Sequence, residues 1–66
     1  MVVVVNGRDE VVDEAATVGD LLRRFELAPV RVAVEINRDL LSRKQFDATA
    51  LHDGDRVEIV TFVGGG

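Results

Sequence analysis

The chain opens on Val2-Val3-Val4-Val5, a β-branched run without a break, and passes at once into Asn6-Gly7. β-branched side chains lose rotamer freedom in a helix and fit a pleated surface, so the run predicts a strand. An apolar run with no polar alternation has no obvious wet face. It therefore predicts a strand covered on both faces, at the centre of a sheet. Asn-Gly tolerates positive φ at both central positions of a tight hairpin. It sends the chain back into a second strand over about Arg8–Val12, where Arg8, Asp9 and Glu10 suit an exposed edge.

Thr17 opens a helix. Its hydroxyl is placed to accept the backbone N–H near Asp20, and Asp20 puts negative charge in the first turn. Val18, Leu21, Leu22 and Phe25 recur at i, i+3, i+4 and i+7 as one apolar stripe, with Asp20, Arg23, Arg24 and Glu26 largely off it. The helix is expected to stop before Ala28-Pro29, because a residue preceding proline disfavours the helical region. Val32, Val34 and Ile36 alternate with Ala33 and Glu35, so Arg31–Ile36 predicts a third strand. Asn37-Arg38 is a turn, Asp39–Leu41 a short edge strand and Ser42–Phe46 a single helical or 3₁₀ turn. His52-Asp53-Gly54-Asp55 is a further turn. The last strand, Arg56–Val60, is extended by Thr61-Phe62-Val63 and followed by Gly64-Gly65-Gly66.

With 66 residues the chain makes one domain at most. A domain this small buries only roughly 60 % of the surface its unfolded chain exposes. There is no cysteine, so neither a disulfide nor a thiolate metal site reinforces it, and the core is expected to be almost purely aliphatic. A hydrophobic content of 47 % fits a compact chain rather than a disordered one. The net charge of −4 and pI of about 4.7 repel phosphates and argue against nucleic acid as a partner. The Met1–Val5 run is too short to span a membrane and lacks the basic start of a signal peptide, so a cytoplasmic location is expected.

Residue chemistry points away from catalysis. No cysteine is present, and the single histidine, His52, has no matched partner, so no nucleophile–base–orienter set can be assembled. His52 is expected to be solvated. Asp53 and Asp55 flank Gly54 and are expected to form local hydrogen bonds rather than hold a metal. The terminal glycines are no phosphate-cradling loop, which needs a lysine and a Ser/Thr after them.

The order is strand, strand, helix, strand, short strand, strand. One helix covers one face of such a sheet, so the other face is expected to stay wet or meet a partner. The first and last strands, the richest in aliphatics, are expected side by side at the centre. At this point the chain resembles the ubiquitin-like β-grasp proteins, and within them the ThiS family of sulfur carriers. The resemblance rests on Val3-Val4-Val5-Asn6-Gly7, on Thr17-Val18 leading into Asp20-Leu21-Leu22, on Val32-Ala33-Val34-Glu35-Ile36-Asn37, and on Ser42-Arg43. Its most specific part is the closing stretch from Leu51-His52-Asp53-Gly54-Asp55 through Phe62-Val63-Gly64-Gly65-Gly66. Arg38 stands where the family commonly has glycine, and Ser42 where it commonly has proline.

The resemblance implies an α+β fold, a β-grasp with a mixed sheet of four to five strands and one helix across one face. Residues 1–63 are expected to form the carrier domain and residues 64–66 a flexible tail. It implies a protein substrate and not an enzyme. A ThiF-like adenylating enzyme uses ATP to adenylate the Gly66 carboxylate, and a sulfur donor protein converts it to a thiocarboxylate. A thiazole synthase then takes the sulfur for the thiazole ring of thiamine. The chain itself binds no cofactor. Glycine lacks a Cβ, so Gly64 and Gly65 suit a backbone that threads a narrow channel. Phe62, Val63 and Val60 precede the glycines and are expected to dock the partner, with a core-capping role the alternative for Phe62. Related readings are a MoaD-like carrier serving molybdopterin or another sulfur metabolite, and a ubiquitin-like binding module that never reacts at its terminus.

Overall fold

The computed structural model describes residues 1–62; Val63, Gly64, Gly65 and Gly66 lie outside the described residues. The chain forms β1 (Val2–Val5), β2 (Arg8–Val11), α1 (Val18–Arg24), a 3₁₀ turn (Pro29–Arg31), β3 (Val32–Ile36), β4 (Asp39–Leu41), a second 3₁₀ turn (Arg43–Gln45) and β5 (Arg56–Thr61). The strands make one five-stranded sheet in the order β2-β1-β5-β3-β4. β1 runs parallel to β5, and the other pairs are antiparallel. The two aliphatic strands are thus central neighbours, as the sequence predicts.

One part of the opening expectation fails. Val3 and Val5 are buried, but Val2 is exposed and Val4 only half-buried. α1 covers one face of the sheet alone, so the strand is central without being covered on both sides. The covered face carries Val3 and Val5 of β1, Val32 and Val34 of β3, and Val57 and Ile59 of β5. Val18, Leu21 and Leu22 of α1 close over them, and Phe46 and Leu51 seal the flank. Among the described residues no polar or charged side chain is buried.

Both ends of α1 have local causes. Thr17 accepts the backbone N–H of Asp20 through Oγ1 at 3.1 Å, and Asp20 Oδ2 accepts the N–H of Thr17 at 2.9 Å. This reciprocal box satisfies two of the donors a helix start leaves open. The hydrogen bond from Arg23, joined by those from Thr17, holds the Asp20 carboxyl below the usual carboxylate range. Bonds to Asp20 and then Asp47 raise the Arg23 guanidinium in turn. The helix ends earlier than proline alone requires. Glu26 turns to φ 59, Leu27 N–H reaches Leu22 O at 2.9 Å and Glu26 N–H reaches Arg23 O at 3.0 Å. That paired closure, with Leu27 packed on the core, ends the helix at Arg24, well before Pro29 and independently of it.

The two departures from the family pattern have different consequences. Ser42 has φ −64, the value a proline ring imposes, so the backbone there is the one proline would set. Arg38 is held at φ 73 beside Asn37 at φ 51, two left-handed residues closing the β3–β4 hairpin. A side chain in that region costs roughly 1–2 kcal/mol, which glycine avoids. Arg38→Gly is therefore expected to stabilise the fold by about 0.5–1 kcal/mol, after glycine's larger unfolded-state entropy is deducted. Urea unfolding measures it, and a lower midpoint for the variant would contradict the strain.

Candidate functional site

The site is the end of β5 and the surface around it, from which the glycine tail departs. β5 is held there from both sides. β3 pairs with it from Val32↔Thr61 to Ile36↔Val57, and Phe62 N–H continues the ladder to Arg31 O at 2.8 Å. On the other side the parallel pairing with β1 stops at Val5↔Val57, and Asn6 takes over. Its backbone N–H donates to Val57 O at 2.9 Å, its Oδ1 accepts the N–H of Ile59 at 2.8 Å and its Nδ2 donates to Ile59 O at 3.1 Å. The amide side chain thus stands in for the next residue of a strand. Asn6-Gly7 is legible as a turn, at φ 50 and φ 83. Its second task, pinning the strand that carries the tail, has no signal in the dipeptide itself.

Of the predicted docking residues, Val60 is 60 % and Phe62 53 % exposed. Phe62 therefore does not fill the core. Alternation along β5 puts Glu58, Val60 and Phe62 on the uncovered face, with Val57 and Ile59 buried on the other. Val63, Gly64, Gly65 and Gly66 lie outside the described residues. Sequence reasoning missed Val30 at 66 % and Leu40 at 74 % exposure, one beside Arg31 and one on edge strand β4. Apolar exposure at an edge is not visible until the register is known. On the helix side of the same end, an open hollow of about 400 Å³ is lined by Val5, Arg8, Phe25, Leu27, Ile59 and Thr61.

The remaining candidates resolve as local structure. Asp53 Oδ1 accepts Val2 N–H at 2.8 Å, tying the last turn to β1. Asp55 accepts the N–H of His52 at 2.8 Å and Nδ2 of Asn37 at 3.1 Å. The His52 side chain is 80 % exposed, with Nδ1 3.8 Å from Asp55 Oδ2. Among the described residues no group of three or more His, Asp or Glu side chains is placed to hold a metal, and no helix is long and apolar enough to cross a membrane.

A five-stranded mixed sheet, with one helix across it and β5 at its centre, defines a β-grasp protein. The ThiS family model matches residues 2–66, so the match takes in the glycine tail. The crystal structure of a thiamine biosynthesis protein (ThiS) from Geobacter metallireducens superposes with a TM-score of 0.82 at 43 % identity, over 100 % of both chains. The sulfur carrier protein ThiS of Bacillus subtilis is 37 % identical over 62 residues, covering 92 % of this chain and 94 % of that one. A thiazole synthase of Paramagnetospirillum magneticum is 36 % identical over 66 residues, all of this chain but only 20 % of the synthase. A second thiazole synthase, of Magnetococcus marinus, is likewise matched over only 19 % of its length. The chain belongs to the ThiS family.

Proposed function

We propose that the chain is a sulfur carrier for thiazole formation in thiamine biosynthesis, with the Gly66 carboxylate as the group that is activated, sulfurated and discharged. The observation that carries this is the family match through residue 66 on a fold whose central strand leads into the tail. A carboxylate is a poor electrophile because its charge repels nucleophiles. Attack of a carboxylate oxygen on the α-phosphorus of ATP releases pyrophosphate and leaves an acyl adenylate, whose acyl group no longer carries the carboxylate charge. A sulfide-level nucleophile from the donor protein then attacks the acyl carbon. AMP departs with the C–O bond electrons, and a thiocarboxylate remains. Holding the acyl group beside the nucleophile supplies much of the rate, and a ThiF-like adenylating enzyme provides that closed site.

Thiazole synthase is the proposed acceptor. Two bacterial thiazole synthases contain a stretch similar to this chain within their own length, which supports the carrier and the synthase working on one another. The chain contributes reach and docking, and ATP is consumed on its partner. The cytoplasm, where ATP and sulfide donors are supplied together, is the proposed location.

Docking rests on Phe62 and Val60, with Val63 next in sequence. Exposed aromatics beside a tail are suited to anchor a modest interface that must also release. Phe62→Ala is expected to raise the KM for thiocarboxylate formation about tenfold or more, the range of an interface hot spot. The melting temperature is expected to fall by no more than a few degrees, because the side chain is half exposed. An unchanged KM would remove Phe62 from the docking surface.

A further inference from the structure

The turn after β1 asks of Asn6 only that it accept φ 50, which glycine and aspartate also tolerate. The Asn6 side chain does something the turn does not require. It bridges 53 residues of sequence to Ile59, whose N–H donates to Asn6 Oδ1 at 2.8 Å and whose carbonyl accepts from Asn6 Nδ2 at 3.1 Å. A carboxamide carries an acceptor and a donor on one planar group, as a backbone residue does. Glycine offers neither, and an ionised aspartate sets a second acceptor against the Ile59 carbonyl.

The bridge falls where β5 loses its other neighbour. Among the described residues β1 pairs with β5 at Val4↔Arg56 and Val5↔Val57 and no further, while β3 pairs with it from Val57 to Thr61. At Ile59 the strand therefore has β3 on one side and Asn6 on the other. We propose that Asn6 is a positioning residue for sulfur loading: its amide fixes the direction in which β5 presents the tail to the adenylating enzyme. The proposal deepens the carrier reading and rests on it. From Ile59 to Gly66 the chain can reach roughly 23–25 Å at about 3.3–3.6 Å per residue, so a tilt of only ~10° in the strand moves the far end by about 4 Å. Without the amide, a smaller fraction of free carriers is aimed to enter the partner, and apparent affinity falls by that fraction. Once the tail is bound the partner holds it, so the reacting step keeps its rate.

The test compares Asn6→Gly, which keeps the turn and removes both side-chain bonds, with Val12→Ala. Val12 is buried beside the other end of β1, where its N–H donates to Met1 O at 2.8 Å, so its truncation weakens the fold without touching the end of β5. With every chain kept well below its melting temperature, Asn6→Gly should raise the KM for thiocarboxylate formation about five- to tenfold and leave kcat within about twofold. Val12→Ala should leave both within about twofold. The backbone amide order parameters of Ile59 and Thr61 should fall in Asn6→Gly from about 0.85 toward 0.6, and stay at the parent value in Val12→Ala. Unchanged order parameters, an unchanged KM, or an equal rise in KM in Val12→Ala would each overturn the proposal. A parent chain that never becomes a thiocarboxylate would sink the carrier reading and the positioning role with it. A reacting parent with an unchanged KM in Asn6→Gly sinks the positioning role alone.

Discussion

Removing Gly65 and Gly66 is expected to leave the folded domain intact and to abolish sulfur transfer altogether. Within the described residues β5 runs to Thr61, and a further ladder contact joins Phe62 N–H to Arg31 O. Nothing in that ladder depends on the last two residues, so the melting temperature should match the parent's within about 1–2 °C. Function responds differently. A shortened chain still ends in a carboxylate, but that carboxylate stands two residues back, a loss of roughly 7 Å of reach at the extended spacing of about 3.3–3.6 Å per residue. Misplacing a reacting atom by even ~1 Å can cost about a hundredfold in rate, so a deficit of this size leaves no measurable reaction. The assay is growth without thiamine in a strain whose only carrier is the truncated chain. Full growth would show that the terminus never reacts, and would favour a binding module that works through its folded surface.

The second large effect is on stability. Leu22→Ala is expected to cost about 2–5 kcal/mol, the range for removing a buried leucine side chain. Leu22 is 1 % exposed; it lies on the buried face of α1, and its carbonyl accepts Leu27 N–H in the closure that ends the helix. A domain of 66 residues has roughly 3–10 kcal/mol in all, at about 0.05–0.15 kcal/mol per residue. The variant therefore loses a large share of its folded population, and its melting temperature should fall by roughly 10–25 °C. With no disulfide to take up the loss, the core alone decides. A fall of less than about 5 °C would mean that the helix–sheet interface is not the main source of stability.

Much of this was legible because single residues carried strong local signals. Asn6-Gly7 demanded a tight hairpin, Thr17 with Asp20 demanded a helix start, and the apolar stripe of Val18, Leu21 and Leu22 fixed which side of the helix faces inward. The two aliphatic strands announced the centre of the sheet. What failed were properties set by partners elsewhere in the chain. Val2 and Val4 are as apolar as Val3 and Val5, yet one helix cannot cover both faces, so composition overstated their burial. The helix end followed Glu26 in a left-handed conformation, a choice that glycine would have signalled and glutamate did not. At the site, Phe62 and Val60 could be singled out from their position before the glycines. The exposure of Leu40 could not, because a one-residue shift in register would turn it to the other face. Asn6-Gly7 marks a turn in the sequence, and only the fold shows the Asn6 side chain completing the ladder beside Ile59.

The central claim is that the Gly66 carboxylate exchanges oxygen for sulfur, and intact mass spectrometry of the whole chain tests it most directly. Incubation with ATP, the adenylating enzyme and a sulfide source is expected to add the mass difference between sulfur and oxygen, localised by fragmentation to the Gly64-Gly65-Gly66 end. Omission of ATP is expected to prevent it. An unchanged mass, with an adenylating enzyme shown to be active on another carrier, would contradict the claim.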